Sequence, residues 1–162
     1  MAHRRHLHGL HLVNHLDIQV RPLYETEANL EKERQLALFF EQTYQCTLRK
    51  LPIRYHLDFA IEQNGRIVGF VEVKTRNHTF DQIGKMGGYR LSFGKWCAAE
   101  QMCRVSGLSF ILLVGYLDQV RYARIDDFKH DGLVWWGRQD RGDAQDMEPA
   151  IVLRNERFVM MR

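Results

Sequence analysis

The chain has 162 residues, of which 45% are hydrophobic and 27% charged, with a formal net charge of +3 at pH 7. That balance excludes collagen-like, disordered and repeat architectures and suits one globular domain, which at this length buries about two thirds of its unfolded surface without disulfides or a structural metal. No apolar run approaches the ~20 residues of a membrane span, no uninterrupted apolar core marks a secretory signal, and three cysteines outside any Cys-x-x-Cys pair read as reduced thiols in a cytoplasmic protein.

Residues 1–22 form an expected flexible, histidine-rich segment, with histidines at 3, 6, 8, 11 and 15. Metal-binding tract, arm touching nucleic acid and start extension are the three readings of such a segment, and the plain unstructured extension is the expected one. Residues 23–162 read as a single domain without internal repeats. From Glu25 to Gln45, Glu, Lys, Leu, Ala and Gln dominate and neither Gly nor Pro occurs, which predicts one long helix. Its apolar stripe is expected at Leu30, Ala37, Phe40 and Tyr44, and Glu33 falls in the same row, where a charge needs a reason.

Two runs of period two follow. Tyr55, Leu57, Phe59 and Ile61 alternate with His56, Asp58 and Glu62; Ile67, Gly69, Val71 and Val73 alternate with Val68, Phe70, Glu72, Lys74 and Arg76. Asn64-Gly65 between them signals a hairpin. A two-residue Asn-Gly loop alone would pair positions summing to 129 and mix the apolar and polar faces. An odd loop, such as three residues ending in a left-handed Gly65, makes the sum even. Leu57, Phe59, Val71 and Val73 then share one face, and Asp58, Glu72 and Lys74 the other, with Asp58 across from Glu72 or diagonal to it.

Asn77 to Arg90 is polar and glycine-containing and reads as an active-site loop. Ser92 is the expected N-cap of a helix from Phe93 to Ser106 stopped by Gly107. Phe110 to Val114 is wholly apolar, as in a strand covered on both faces, and Val120 to Ile125 is its alternating neighbour. Short strands are expected at Ile151–Leu153 and Phe158–Met161, after an acidic, turn-rich stretch from Asp140 to Pro149. Trp135 and Trp136 are expected in the core or a dimer contact, since adjacent strand residues face opposite ways and make a poor stacking platform. Gly-x-Ser-x-Gly, Walker and Gly-x-Gly-x-x-Gly patterns are all missing, which leaves nucleophilic-serine and nucleotide-driven chemistry without support.

Helix, strand, hairpin strand, helix, strand, strand, with Asp58 in Tyr-His-Leu-Asp-Phe-Ala and, after thirteen intervening residues, Glu72-Val73-Lys74, resembles the core of the PD-(D/E)xK nuclease superfamily. The resemblance covers roughly residues 27–125 and is greatest to small phage-encoded nucleases and Holliday junction resolvase-like domains. Glu33 in Glu-Arg-Gln-Leu is similar to the acidic residue those proteins carry on their first helix. Lys95 in Ser-Phe-Gly-Lys is similar to their polar residue on the helix after the second motif. The first motif departs from the common pattern, with Leu57 where a proline often stands. The resemblance implies an α/β, restriction-endonuclease-like core, a central mixed sheet flanked by helices, with extra C-terminal strands. It also implies a Mg²⁺- or Mn²⁺-dependent DNA endonuclease rather than an exonuclease, hydrolysing phosphodiesters through a metal-activated water. Branched DNA as substrate would require two sites and hence a homodimer.

The chemistry explains the residue types. A divalent ion offsets charge on the scissile phosphate and makes water nucleophilic near neutral pH, and Mg²⁺ takes one or two carboxylates and fills its other positions with water and phosphate. Asp58 and Glu72 would bind it, the Val73 carbonyl joining them as the resemblance suggests, with Glu33 acting through water; Lys74 would act on the attacking water or the phosphate. Arg76, His78, Lys85, Arg90 and Lys95, with Tyr89 and Trp96 among them, are expected to form a basic, partly aromatic rim for the phosphate backbone. His56 is expected as a neighbour rather than a proton carrier. Each residue alone has a plainer explanation, a cross-strand ion pair of Asp58 with Lys74 or Arg76 contributing about 0.2–1 kcal/mol. A non-catalytic nucleic-acid-binding protein on the same fold, or a nuclease acting on RNA, remain the alternatives.

Overall fold

The structure, a computed structural model, describes residues 26–52, 55–137 and 147–162; the histidine-rich segment 1–22 and most of the acidic stretch from Asp140 lie outside them. Helix α1 spans Glu27–Tyr44, opened by the Thr26 hydroxyl, which accepts the Asn29 N–H, and closed by Gln45 in a left-handed conformation. It buries Leu36, Ala37 and Phe40, whereas Leu30 and Tyr44, expected in the stripe, are exposed. Leu36 already rests against Gly115 at the end of a central strand. Leu30 lines an open groove with Leu48, Lys50 and Phe59, and Tyr44 meets Phe40 and Tyr122 at the other end, so both edge the core and the buried stripe is shorter than periodicity suggests.

The sheet contains β1 (Thr47–Lys50), β2 (Phe59–Gln63), β3 (Arg66–Thr75), β5 (Ser109–Gly115), β6 (Val120–Ile125) and β9 (Val159–Met160). The spatial order is β1-β2-β3-β5-β6-β9, with β3 and β5 parallel and every other pair antiparallel. This is the expected mixed sheet with a restriction-endonuclease-like core. A second, antiparallel sheet is formed by β4 (Tyr89–Ser92), β8 (Met147–Leu153) and β7 (Gly132–Gly137), in the order β4-β8-β7. Two short helices' worth of chain become α2 (Phe80–Lys85) and the longer α3 (Phe93–Ser106).

The hairpin reaches the even register by a route other than an odd loop. Asn64 and Gly65, both left-handed (φ 52° and 73°), make a two-residue turn that pairs Gln63 with Arg66 and Glu62 with Ile67. Val68 is then bulged out, and from Ile61–Gly69 to Phe59–Val71 the paired numbers sum to 130. The bulge interrupts the alternation, so Ile67, expected inside with Val71, is exposed. Leu57 also leaves its expected face. The strand begins only at Phe59, after a bend in which His56 takes φ 57°, and Leu57 packs with Ala60, Phe70 and Leu112 instead of with Val71.

Two apolar clusters therefore lie on either side of the main sheet. Leu36, Phe40, Ile61, Val71, Val73 and Leu113 pack beneath α1. Phe70, Phe110, Leu112 and Val114 pack against Phe80 and Ile83 of α2, Trp96 and Ala99 of α3, and Tyr89, Leu91, Ile151 and Leu153 of the second sheet. Burying whole side chains of this size contributes about 1.5–3 kcal/mol each, which makes these two layers the main support of the fold.

The stretch 77–90 is not a loop. Thr79 and Gln82 cap α2 reciprocally, and Tyr89 starts β4. Ser92 precedes α3 but makes no cap bond; its hydroxyl donates to Glu148 of β8. Gly107 ends α3 in the left-handed region, as expected. Trp135 and Trp136 are not core residues: 67% and 38% exposed, they sit on the outer strand β7. No helix among the described residues is long and apolar enough to cross a membrane.

Candidate active site

Continuing the 130 register one step past Phe59–Val71 sets Asp58 across from Glu72, on the sheet face that meets α3 and the second sheet. Asp58 is held there by two ladder-like bonds: its backbone oxygen accepts the Leu51 N–H at 2.9 Å, and its Oδ2 accepts the Val73 N–H at 2.9 Å. A carboxylate thus replaces a backbone carbonyl in the pairing of β3. The N–H and C=O of one residue project from the same strand edge, so the Val73 carbonyl emerges beside Asp58.

Glu72 is fully buried, and among the described residues it is the only charged one that is. Its position is fixed by Phe70 and Leu112, whose burial on the same layer leaves β3 no freedom to turn. Two ammonium groups converge on it: Lys74 Nζ and Lys95 Nζ are each 2.7 Å from Glu72 Oε1. They stand 3.7 and 3.8 Å from the Asp58 carboxylate, and Lys50 Nζ, at the end of β1, lies 3.9 Å from Asp58 Oδ1. Burial alone would raise the Asp58 pKa, but the Lys74 and Lys95 charges, the Val73 N–H and Lys50 outweigh it, and the carboxyl lies below its ordinary range. Burial alone would lower the Lys74 pKa; the Glu72 and Asp58 charges reverse that, so its ammonium is protonated throughout the neutral range.

Asp58, Glu72, Val73 and Lys74 are accordingly brought together, and Lys95, expected on the rim, belongs to the centre. Glu33 is half-buried on α1, which lies on the opposite face of the sheet. It lines a groove of about 360 Å³ with Lys50 and Phe59, and its charge reaches Tyr89 across the layer. Lys50 was not foreseen; its signal is the pairing of β1 with β2, which puts it opposite Phe59 beside Asp58.

The rim residues separate. Arg76 is half-buried, its Nη1 donating to the Thr75 carbonyl and its Nη2 to the Tyr89 hydroxyl, with the guanidinium 4.6 Å over the Tyr89 ring. Arg90 donates to the Met86 carbonyl and lies 5.5 Å from the Trp136 ring centre. His78 and Lys85 are exposed. Tyr89 and Trp96 are buried and contribute no aromatic surface; Trp96 packs on Phe128 and His130. His56 is exposed.

Among the described residues no three His, Cys, Asp or Glu side chains gather into a ready-made metal cage. A hard divalent cation does not need one, since it is satisfied by one or two carboxylates, a carbonyl and water. The donors present fit that requirement: Asp58 and Glu72 face each other beside the Val73 carbonyl, and Glu72 Oε2, though buried, has no hydrogen-bond partner among the described residues. An oxygen left this way has lone pairs to offer a metal ion.

Residues 19–161 match the family model described as "Phage putative PDDEXK endonuclease", and no curated protein matches the chain. The match spans most of the sequence, so the chain belongs to this phage-type PD-(D/E)xK nuclease family, whose substrates are nucleic acids.

Proposed function

We propose that residues 23–162 act as one domain, a Mg²⁺-dependent endonuclease that hydrolyses phosphodiester bonds of DNA, with Mn²⁺ as a substitute metal. The observation that carries this reading is the fully buried Glu72, across from Asp58 and in contact with Lys74 and Lys95. Asp58, Glu72 and the Val73 carbonyl would hold the ion, with Glu33 assisting through water. When bound, the metal supplies charge neutralisation at the scissile phosphate and a water of lowered pKa.

The chain's own residues do the rest. Asp58, fixed by the Val73 N–H, orients the carboxylate pair, and burial of Glu72 excludes bulk water from one side of it. Lys74 keeps its proton and lies beside both carboxylates, where an ammonium stabilises charge developing on the phosphate oxygens. Lys95 and Lys50 add positive charge, giving three cations to two carboxylates at a site for a polyanion. Arg76, His78, Lys85 and Arg90 would contact the backbone on either side.

Purified chain with Mg²⁺ or Mn²⁺, offered plasmid, linear, single-stranded and four-way-junction DNA together with RNA, should cut a DNA internally. Cleavage of closed circular DNA establishes endonuclease action and selective junction cutting by a dimer establishes branched-DNA specificity, whereas cleavage of RNA alone would overturn the DNA assignment.

A further inference from the structure

Arg76 follows Lys74 by two residues, one position past the end of β3, and the extended spacing of the chain sets it about 7 Å beyond Lys74. It is restrained at four points: its N–H donates to the Gly115 carbonyl at 2.9 Å, Nη1 to the Thr75 carbonyl at 3.0 Å and Nη2 to the Tyr89 hydroxyl at 2.5 Å, and the guanidinium lies over the Tyr89 ring. A guanidinium has five N–H donors, so the fork retains donors beyond these. Tyr89 itself is completely buried. Its backbone is set by the close approach of Gly88 to β8 and by pairing with Leu153, and its ring packs on Phe158. An arginine held this way gives up little side-chain entropy on binding, and planar, oriented guanidinium groups suit phosphate oxygens.

Building on the nuclease reading above, we propose that Tyr89 is a positioning residue that fixes Arg76 as a preformed contact for the substrate phosphate next to the scissile one. Lys74 and Arg76 then form a cationic row at roughly the spacing of successive phosphates along a strand. Tyr89 touches no substrate; it acts through the orientation of Arg76. Burial raises the Tyr89 pKa, and its hydroxyl stays neutral and able to accept from Arg76 throughout the working range.

Two measurements on full-length protein test this: binding of a labelled duplex in EDTA as a function of salt, and the kcat–KM split of cleavage with Mg²⁺. Arg76→Ala should lower the salt slope by about one phosphate, ~0.9 in log–log units. Tyr89→Phe keeps the ring and the core volume, and should raise KM about fivefold with kcat nearly unchanged, because the lost bond is one of ground-state and transition-state alike. Arg76→Lys combined with Tyr89→Phe should cost no more than either alone, since both remove the same orientation. An unchanged slope in Arg76→Ala, or a Tyr89→Phe variant that melts earlier with KM unmoved, would overturn the proposal. Expected slopes without any cleavage by wild type would overturn the hydrolytic reading and leave this contact standing; normal cleavage with an unmoved slope would do the reverse.

Discussion

Lys74 of β3 and Lys95 of α3 meet at a single oxygen, each Nζ lying 2.7 Å from Oε1 of the buried Glu72. A strand and a helix are thereby joined through one carboxylate that has no access to solvent. Glu72→Gln keeps the shape but leaves two ammonium groups with Asp58 as their remaining carboxylate neighbour. Breaking a buried ion pair from one side typically costs about 3–5 kcal/mol. Metal-free urea denaturation should register a loss of that order, and a variant as stable as wild type would show that the two lysines move out to water instead.

Gly88 governs where Tyr89 enters the site layer. Its φ is 116°, and a Cβ there would lie 2.6 Å from the Leu153 carbonyl oxygen. Gly88→Ala should therefore lose about 1–3 kcal/mol from backbone strain alone, whereas Gly94→Ala, whose Cβ would lie 3.7 Å from the Ser92 hydroxyl, should be neutral or stabilising. Chemical denaturation of the pair checks the contrast; equal stabilities would contradict it.

Asp131 ties the bend after β8 to the start of β7, accepting from Arg157 Nε and Nη2 and from the Arg154 N–H. The Arg157 bond chiefly holds its pKa below the ordinary carboxyl range, against a smaller opposing effect of burial. A depressed folded-state pKa stabilises above the unfolded value of about 4 and loses that contribution as pH falls through the folded one. Thermal unfolding of wild type against Asp131→Asn should show a constant gap at neutral pH that closes in acid. A gap that widens in acid would contradict the assignment.

Much of this architecture was legible because period and punctuation agree. α1, α3, β5 and β6 follow their predicted spans within a residue or two, and the even hairpin register was required by the faces of Val71 and Val73. The register's mechanism was not legible: a bulge at Val68 leaves no mark in composition, since valine suits a strand as well as a bulge. The segment 77–90 was misread although Thr79-Phe-Asp-Gln82 carries a capping-box pattern, because a helix of six residues has too few positions to display periodicity. At the candidate site, the meeting of Asp58, Glu72 and Lys74 on one face was legible from register. The move of Lys95 from rim to centre depends on how α3 leaves β4, and the contribution of Lys50 depends on an edge strand of four residues; both are tertiary facts.

The most direct measurement is single-turnover cleavage with Mn²⁺, run beside calorimetric Mn²⁺ binding, for wild type, Lys74→Ala and Asp58→Ala. Lys74→Ala should bind metal and nucleic acid nearly as wild type yet lose most of its rate, because an ammonium acting on developing charge matters most in the transition state. Asp58→Ala should lose metal binding and cleavage together. Cleavage that survives both substitutions, or Mn²⁺ binding unchanged by Asp58→Ala, would contradict the assignment of this carboxylate–lysine cluster as the catalytic centre.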